Sequence, residues 1–493
     1  MTDYTRIHPS DNVCVALRDL KAGTEYIIDD KKTVLLSDIP MGHKFSVNHI
    51  GKGDSIIKYG YPIGTATAEI LPGEHVHIHN IKTLLCGIQD YEYHPTDIPP
   101  TENRPKSFMG YKRLNGKVGI RNELWIVPTV GCVNDVVKQL EKDGQQFIGK
   151  GIDHVYAFPH PYGCSQMGDD QENTRKILAD LVMHPNAGGV LLVGLGCENS
   201  GIDEILKYMT GYDRNRVRMM ICQHVSDEHS EGLKLLRELA DNMRGDHRTV
   251  CSSSQLVVGL KCGGSDGLSG ITANPVIGHF SDELCSAGGA AILTEVPEMF
   301  GAETILMNRC ENAEVFRKTV NLINSFKQYF ESHHQTIYEN PSPGNKQGGI
   351  STLEDKALGC TQKSGFSKVR DVLAYGEQIT KNGLNLLYAP GNDLVASTAL
   401  AASGAQIVLF STGRGTPFAC PVPTLKIATN TPLATVKSGW IDFNAGDILN
   451  GKTINELGTD LMEKVLRIAS GEYVFSEKRG FHDLAILKTG VTL

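Results

Sequence analysis

The chain has 493 residues, 40% hydrophobic and 21% charged, which is the composition of an ordinary globular protein of roughly two to four domains. Its net charge of −8 argues against general binding to nucleic acid or anionic membranes, because such binding needs a basic surface. The first residues lack an apolar signal core, no apolar run approaches the ~18 residues of a membrane helix, and the twelve cysteines include no C-x-x-C pair, so we expect a cytoplasmic protein with reduced thiols.

Residues 1–92 contain short strand-like runs separated by turns. The runs are TEYIID, KTVLLS, GHKFSVNHI, SIIKYGYPIGTATAEI and HVHIHNI, and Gly and Asp/Lys clusters separate them. This pattern predicts a small β domain. The polar, proline-bearing residues 93–108 that follow predict a linker.

Two further portions alternate between apolar runs and helical patterns. In residues 109–252 the runs LWIVPTV, HVYAFP, GVLLVGL and VRMMIC alternate with NDVVKQLEKDG, NTRKILADLVMH and GLKLLRELADNM. In residues 253–493 the runs are QLVVGLKCG, AAILTE, LNLLYAPG, QIVLFSTG, TLKIATN and WIDF. Strands that alternate with helices predict mainly parallel sheets. The chain is therefore predicted to be an α/β multidomain protein with a small β domain and two α/β portions, of which the second is larger.

The segment GDILNGKT (446–453) matches the phosphate-binding pattern G-x-x-x-x-G-K-[ST]. Ile448 and Leu449 are bulky for a loop that wraps phosphates closely, and the charge of Asp447 would repel them. We therefore predict a strand-to-helix turn in which Thr453 caps the helix with Glu456 as its capping-box partner.

Polar groups follow many of the predicted strands, where open parallel sheets bind ligands. In the first α/β portion these are Cys132 and Asn134, then His160, Cys164, Gln166, Asp169 and Asp170, then Cys197, Glu198 and Asn199. In the second they are Cys262, Ser265 and Asp266, then Glu295 and Glu298, then Asn392 and Asp393, then Arg414. The three Gly-Cys pairs would bring their sulfurs to one sheet edge, where thiolates suit a metal or an iron–sulfur cluster. The alternative is that each cysteine is a small buried residue.

GLGCENSG does not complete a dinucleotide fingerprint, because Asn199 stands where the third glycine is needed. In GEHVHIHN, His75, His77 and His79 alternate; on a strand, neighbouring ones would be about 7 Å apart at the backbone and the outer pair about 13 Å. Neighbours could converge on one ion, but the outer pair could not do so unaided. A polar strand face with unligated imidazoles is the alternative.

Residues 338–365 are irregular and rich in Gly, Pro and polar groups, which is typical of a disordered segment or an active-site loop. Their cations Lys346, Lys356 and Lys363 could meet a substrate carboxylate. A solvated surface loop is the alternative.

These motifs together resemble the altronate/galactarate dehydratase family. The matching stretches include KYGYPIG, GEHVHIHN, GIRNELWIVPTVGCVN, YGCSQMGDD, HPNAGGVLLVGLGCEN, KCGGSDGLSGITANP, LTEVPEMFGAE, YENPSPGNKQGGISTLEDKALGCTQK, APGNDLVA and STGRGTP, and they span essentially the whole chain. The resemblance implies a β-clip (SAF-like) N-terminal domain, a homodimer, and a metal-dependent hydro-lyase that converts D-altronate into 2-dehydro-3-deoxy-D-gluconate in hexuronate catabolism. A related sugar acid such as galactarate is the alternative substrate.

Ferrous iron is the cofactor that the resemblance implies. The histidine spacing favours a single Fe²⁺, whereas the Gly-Cys pairs favour an iron–sulfur cluster, and Mn²⁺ is a further alternative. Removing a proton beside a carboxylate and expelling a hydroxyl requires a base, positive charge and a Lewis or general acid.

The resulting hypothesis gives each residue a role. His75 and His77 bind the metal with Cys132, Cys164 or Cys197; His160 or Glu295 transfers protons; Arg414 and Lys363 hold the carboxylate; and Asn134, Gln166, Asp266, Lys346 and Asn392 contact substrate. Two other classes compete with this hypothesis. A non-catalytic carbohydrate-binding protein would not need polar groups at several strand ends, and an NAD-dependent dehydrogenase is disfavoured by the broken glycine fingerprint.

Overall fold

The computed structural model describes residues 2–99 and 104–493. Part of the predicted linker, residues 100–103, lies outside the described residues. None of the helices in the described ranges combines the length and the apolar character that crossing a bilayer would require.

Nine short strands form the N-terminal β module. They are β1 (Tyr4–Thr5), β2 (Val13–Ala16), β3 (Glu25–Ile28), β4 (Lys31–Val34), β5 (Lys44–Ser46), β6 (Ser55–Lys58), β7 (Tyr61–Ala66), β8 (His75–Val76) and β9 (Ile81–Lys82). They pair as the sheet β1-β2-β5-β8, the hairpin β3-β4 and the sheet β6-β7-β9, all antiparallel. One of the module's apolar clusters includes Ala357 and Leu358 from the far end of the sequence, so the module packs on the C-terminal part of the chain.

The prediction of one strand over HVHIHNI was wrong, because β8 ends at Val76. The side chain of Asn80 accepts a hydrogen bond from the backbone N–H of His77 at 3.0 Å, and the Asn80 N–H returns one to the His77 carbonyl at 2.9 Å. These local bonds satisfy the backbone in a turn instead of a ladder. The turn changes the direction of the chain between His77 and Asn80.

The middle unit extends from residue 107 to residue 252. Its elements are β10 (Ser107–Lys112), β11 (Val118–Gly119), β12 (Glu123–Pro128), α1 (Asn134–Gly144), β13 (Val155–Ala157), α2 (Gly168–Val182), β14 (Ala187–Gly194), α3 (Ile202–Leu206), β15 (Val217–Ile221), α4 (Glu228–Met243) and β16 (Thr249–Ser252). The four strands β13-β12-β14-β15 form a parallel sheet, and β11-β10-β16 an antiparallel one. The central strands β12 and β14 are almost wholly buried, as their continuous apolar runs predict, and the edge strand β15 is partly buried.

The C-terminal unit is the largest and contains a seven-stranded parallel sheet in the order β19-β20-β18-β17-β21-β22-β23. Its elements are β17 (Val257–Cys262), α5 (Ala273–Ser286), β18 (Ala290–Leu293), α6 (Glu303–Met307), α7 (Ala313–Ser332), α8 (Pro343–Gln347), α9 (Leu353–Thr361), β19 (Val369–Leu373), β20 (Gly383–Leu387), α10 (Asp393–Ala402), β21 (Ile407–Thr412), β22 (Thr424–Ala428), α11 (Thr431–Val436), β23 (Phe443–Asn444), α12 (Ile454–Ala469) and α13 (Phe475–Lys478). The predicted fold class is therefore confirmed.

The two parallel sheets begin on the same side of the molecule. Asn186, just before β14, donates to the Gln406 carbonyl at 2.9 Å, and the Gln406 side chain accepts from the first N–H of β17 at 2.6 Å. Helices α2 and α10 pack together between the sheets, within one apolar cluster. The carboxyl ends of both sheets consequently face the opposite side, where the polar motifs are.

The composition of residues 338–365 predicted a disordered segment or an irregular loop, and this prediction was wrong. They contain α8 and α9, whose first turns are capped by the side chains of Ser342 and Thr352. Every residue of α9 is buried, so tertiary contacts stabilise a helix that composition disfavours. The cap predicted for GDILNGKT is confirmed, because Thr453 and Glu456 form the capping box of α12.

Candidate functional site at the module junction

Three histidines of the N-terminal module face the C-terminal unit. His43 precedes β5 and His75 lies in the paired strand β8, so Nδ1 of His43 and Nε2 of His75 are only 3.0 Å apart. The ring of His77 lies 4.9 Å from that of His43 and 5.5 Å from that of His75, between centroids. We call His43, His75 and His77 the histidine group.

The histidine group is held in its neutral form. Burial, reinforced by repulsion from neighbouring imidazoles, lowers the pKa of His75 to about 3. Burial and the nearby Lys44 lower the pKa of His77 to about 4, and burial also lowers that of His43. Neutral imidazole is the form that binds metals. Nδ1 of His77 is buried and has no hydrogen-bond partner among the described residues, so it is available as a ligand.

The histidine group is connected to Arg414 through Gln347. Nε2 of His43 lies 3.1 Å from the carbonyl oxygen of Gln347, the last residue of α8. The side-chain oxygen of Gln347 accepts a hydrogen bond from Nη1 of Arg414 at 3.1 Å. Arg414 follows β21 and is exposed, so its guanidinium can meet an anionic ligand.

Asp266, which follows β17, lies beside the turn after β21 that contains Gly413 and Arg414. Its carboxylate accepts hydrogen bonds from Thr429 and Ser269 at 2.9 Å each. A Cβ added at Gly413, next to Arg414, would come within 2.4 Å of the Asp266 carboxylate. Burial raises the pKa of Asp266 against the effect of these hydrogen bonds.

Glycines allow the module and the C-terminal unit to meet backbone to backbone. A Cβ at Gly267 would lie 1.9 Å from the carbonyl oxygen of Gly42, and one at Gly349 would lie 2.3 Å from the same atom. The Gly267 N–H also donates to the Gly348 carbonyl at 2.7 Å. The glycines of KCGGSDGLSG and NKQGGIS are therefore needed for this close approach.

A buried ion triad fastens the junction. Lys44 and Lys58 of the module each place Nζ 2.9 Å from a different carboxylate oxygen of Asp355 in α9. Lys44 also donates to the Gly349 carbonyl at 2.8 Å. Although burial raises the pKa of Asp355, Lys44 and Lys58 hold it well below its usual range.

A second polar group lies inside the C-terminal unit, where β17 and α9 meet the turn after β18. One carboxylate oxygen of Glu298 lies 3.0 Å from the sulfur of Cys262 and 3.1 Å from that of Cys360, and the two sulfurs are 3.6 Å apart. The other oxygen of Glu298 accepts from Lys356 at 2.7 Å. We call Cys262, Glu298 and Cys360 the thiol–carboxylate cluster. The hydrogen bond from Cys360, aided by Lys363 and Lys356, lowers the pKa of Cys262 to about 6.

Charged side chains surround this cluster. Glu295 forms an ion pair with Lys261 and accepts a hydrogen bond from the Cys262 N–H at 2.9 Å. Lys261 also donates to Asp393 at 3.0 Å, and Lys363 is buried next to Glu295 and Cys360. Burial raises the pKa of Glu295 well above its ordinary range, and Lys261 opposes that rise. Glu295 has a left-handed backbone with φ of 69°, a strained conformation that its surroundings must hold in place.

A narrow cavity separates the junction from the thiol–carboxylate cluster. Its lining includes Lys58, Asp266 and Asp355 on one side and Lys356 and Cys360 on the other, and its volume is about 10 Å³. That is room for about one water molecule and not for a sugar acid. The two groups are thus neighbours, and Arg414 on the junction side is exposed.

The predicted Gly-Cys edge lies in the middle unit. Cys132, Cys164 and Cys197 follow β12, β13 and β14, which are adjacent in the sheet, and all three are exposed. Backbone hydrogen bonds join the three turns, from Gly131 to the Tyr162 carbonyl at 2.9 Å and from Ser200 to the Gly163 carbonyl at 3.0 Å. The turns therefore converge as expected, and metal binding by their sulfurs stays a prediction.

His160 ties two of these turns together. Its Nε2 lies 2.9 Å from the Pro128 carbonyl, its Nδ1 accepts from the Tyr162 N–H at 3.2 Å, and the Asn134 side chain bonds the His160 backbone at both ends. Burial lowers the pKa of His160 to about 4. Gln166 accepts from the Gly163 N–H at 3.2 Å, and its Nε2 is buried without a partner among the described residues. The ring nitrogens of His160 are thus engaged by main chain, and its proposed part in proton transfer stays a prediction.

The predicted site residues therefore divide among three places. His75, His77, Asp266 and Arg414 meet at the junction, and Lys346 is next to Gln347 in α8. Glu295 and Lys363 adjoin the thiol–carboxylate cluster, and Asn392 caps α10 beside Asp393. The middle unit holds His160, Asn134, Gln166 and the three exposed cysteines.

Sequence reasoning assigned no role to several residues that the structure brings into these groups: His43, Lys44, Lys58, Cys262, Glu298, Asp355 and Cys360. Two signals could have identified some of them. Cys262 and Cys360 each adjoin a glycine, as the exposed cysteines do, and Lys44 and Lys58 are charged residues within predicted strands. His43 is 32 residues from His75, and no local pattern links the two.

Three family models match successive parts of the chain. They are the altronate/galactarate dehydratase SAF domain over residues 2–84, the second domain of D-galactarate dehydratase/altronate hydrolase over residues 110–244, and the C-terminal D-galactarate/altronate dehydratase domain over residues 253–492. Altronate dehydratase of Bacillus subtilis is 53% identical over 100% of both chains. Altronate dehydratase of Escherichia coli is 51% identical over 99% of this chain and 100% of the relative. Galactarate dehydratase (L-threo-forming) of Escherichia coli is 34% identical over 97% of this chain and 95% of the relative.

Proposed function

The chain belongs to the altronate/galactarate dehydratase family and is a hydro-lyase that acts on a sugar acid, and we propose that its substrate is D-altronate and its product 2-dehydro-3-deoxy-D-gluconate. Identity of 51% and 53% to two altronate dehydratases, against 34% to a galactarate dehydratase, supports altronate over galactarate. Galactarate is the second candidate.

One observation supports the module junction as the place of reaction. A group of neutral imidazoles and an exposed guanidinium share Gln347 as a common neighbour, with His43 on its carbonyl and Arg414 on its side chain. A sugar acid presents a carboxylate and adjacent hydroxyls, so a cation binder beside an arginine matches both parts of the substrate.

We propose that His75 and His77, together with His43, hold Fe²⁺. The donor type fits this ion, because imidazole nitrogens suit ferrous iron and the His77 Nδ1 is buried without a partner among the described residues. The nitrogens of the three rings do not all lie within 4.8 Å of one another, so holding one ion would require the His77 ring to move towards the other two. When bound, the ion would supply the Lewis acidity that a poor leaving group such as hydroxide needs. Cys132, Cys164 and Cys197 stay predicted thiolate ligands, either of this ion or of an iron–sulfur cluster in its place.

The side chains at the junction then have distinct tasks. Arg414 binds the substrate carboxylate and stabilises the negative charge that forms when the neighbouring carbon loses its proton. Asp266 lies next to the turn that carries Arg414, and burial raises the pKa of its carboxyl, so we assign proton abstraction to it. The enol that remains after loss of water becomes the keto product.

Other predicted residues have supporting tasks in this proposal. Glu295 and Lys363 sustain the charge balance behind the junction, Lys346 adjoins Gln347 at the junction, and Asn392 caps α10 beside Asp393. His160, Asn134 and Gln166 hold the turns of the middle unit, and direct proton transfer by His160 is the competing hypothesis for the base.

The test is product formation by anaerobic, iron-reconstituted protein incubated separately with D-altronate, galactarate and related sugar acids. We expect 2-keto-3-deoxy product chiefly from D-altronate, and Asp266→Asn and His75→Ala should abolish it. His94→Ala, which changes an exposed histidine outside the junction, is the matched control. Absence of product from every acid would reject the proposal, and it would revive the carbohydrate-binding alternative if altronate still bound.

A further inference from the structure

We propose that Cys262, Glu298 and Cys360 form a second metal site, which binds one divalent cation of the zinc or ferrous type inside the C-terminal unit. This site is distinct from the histidine group and does not depend on the proposed substrate. Among the described residues, these three are the one set of His, Cys, Asp or Glu donors whose ligand atoms all lie within 4.8 Å of one another.

The spacing of the donor atoms matches one small cation. A tetrahedral ion with sulfur at about 2.3 Å and oxygen at about 2.1 Å sets its sulfurs about 3.8 Å apart and each sulfur about 3.6 Å from the oxygen. The observed separations are 3.6 Å between sulfurs and 3.0 and 3.1 Å from sulfur to oxygen. A shift of about half an ångström by the Glu298 carboxylate would therefore complete the geometry.

Burial distinguishes this set from an ordinary acidic patch. The three residues are 2%, 5% and 4% exposed, and the adjoining cavity has room for about one water molecule. At this depth the carboxylate and the two thiols cannot form hydrogen bonds with bulk water. Buried polar groups of this kind require partners of opposite charge.

The neighbouring lysines do not carry enough positive charge to neutralise the carboxylates and two thiolates together. Lys261, Lys356 and Lys363 supply three positive charges, and Glu295, Glu298 and Asp393 supply three negative ones. If both thiols bind as thiolates, the cluster carries two further negative charges, which one divalent cation would neutralise.

The supporting contacts orient the ligands as metal sites require. Lys356 binds the Glu298 oxygen that faces away from the sulfurs, and the Asn340 and Asn345 side chains bind Lys356 at 3.0 and 3.2 Å. On the other side, the N–H of Cys262 donates to Glu295 at 2.9 Å. One oxygen of Glu298 is thus left for the ion.

Thiolate ligands determine the class of cation. Two sulfurs with one carboxylate favour borderline cations such as Zn²⁺ and Fe²⁺ over Mg²⁺ or Ca²⁺, which prefer oxygen alone. The substitute Co²⁺ reports such a site directly, because thiolate-to-cobalt charge transfer gives a near-ultraviolet band that imidazole ligands do not produce.

The experiment uses the full chain, stripped of metal anaerobically and reconstituted with Co²⁺ alone. We expect the thiolate-to-cobalt band in the wild type, with one cobalt per chain attributable to it. Cys262→Ser and Cys360→Ser should each abolish the band. A variant with Cys132, Cys164 and Cys197 all changed to Ser, and a His75→Ala/His77→Ala variant, should both retain it.

Glu298→Gln keeps the shape of the site and tests it if the serine variants fold poorly. This variant should weaken cobalt binding at least tenfold. Because it also breaks the buried pair with Lys356, it should lower the melting temperature of the metal-free protein, and cobalt should raise that temperature less than it does in the wild type. Three results would overturn the proposal: no band in the wild type, a band that disappears with the three exposed cysteines, or a metal-free Cys262–Cys360 disulfide in anaerobically purified protein. Loss of dehydratase activity with the band intact would count against the proposed function alone.

Discussion

Replacing Asp355 with Asn should loosen the N-terminal module without unfolding the rest of the chain. The side chains of Lys44 and Asp355 are fully buried and that of Lys58 is 2% exposed, so the substitution leaves two lysines without their carboxylate inside the junction. Removing one partner of a buried ion pair costs about 3–5 kcal/mol. Because each ~1.4 kcal/mol is tenfold, opening of the module should become about 10²- to 10⁴-fold more frequent.

Hydrogen exchange measured by mass spectrometry on peptides from residues 2–84 reports that opening directly. Asp355→Asn should speed exchange at the junction strands β5, β6 and β8 and leave the sheet of the middle unit protected. Asp38→Asn, which breaks the exposed pair with Lys21, is the matched control and should change nothing.

Replacing the whole ion triad with apolar residues distinguishes the effect of an unpaired buried charge from the effect of lost packing. Changing Asp355 to Leu together with Lys44 and Lys58 to Met removes every charge at once, which is often neutral or stabilising. This triple variant should recover most of the protection that Asp355→Asn loses. Exchange in Asp355→Asn within tenfold of the wild type would refute the role of this ion triad in holding the module on the C-terminal unit.

Four further outcomes are expected. Arg414→Lys keeps the charge but loses the planar fork, so kcat/KM for altronate should fall about 10- to 100-fold with iron content unchanged; an unchanged kcat/KM would remove Arg414 from the site. If His160 transfers protons, His160→Asn should abolish turnover and leave the metal content unchanged. Near-normal turnover would show that His160 only supports the structure, through its hydrogen bonds with Pro128 and Tyr162. Burial lowers the pKa of His184 from 6.5 to about 3, so the folded state should lose stability as pH falls from about 6.5 to about 3, and His184→Gln should flatten the dependence of the melting temperature on pH across that window. Thr453→Ala removes the cap of α12 and should cost about 1 kcal/mol in denaturant unfolding without creating or removing any nucleotide binding.

Local sequence patterns predicted much of the fold because the signals were long and periodic. The run NDVVKQLEKDG coincides with α1, and the apolar runs of both α/β portions coincide with buried parallel strands. The cap of α12 was also predictable, since Thr453 and Glu456 are three residues apart. Short or atypical segments failed. HVHIHNI became a turn through the side chain of Asn80, and residues 338–365 became helices because their neighbours bury them.

The candidate site was predictable only in part. His75 and His77 belong to one motif, and Arg414 and Asp266 follow strands of one sheet, so strand-end reasoning could indicate them. His43 joins them through the pairing of β5 with β8, and Gln347 joins His43 to Arg414 across two domains. Cys262 and Cys360, 98 residues apart, meet only because β17 and α9 pack at the same sheet edge.

By itself the sequence determined the α/β class, most strands and helices, the family resemblance and the residues at the strand ends, because each depends on periodicity or on contiguous motifs. Tertiary structure alone decided which of those residues become neighbours. Docking of the module depends on contacts between residues 225 to 311 positions apart in the chain, which join Gly42 to Gly267 and Gly349 and bury Lys44 and Lys58 against Asp355. Such contacts form where the free energy gained from apolar burial and buried charge pairing exceeds the entropic cost of ordering the chain. That balance depends on residues far apart in the chain, so a short stretch of sequence cannot reveal it.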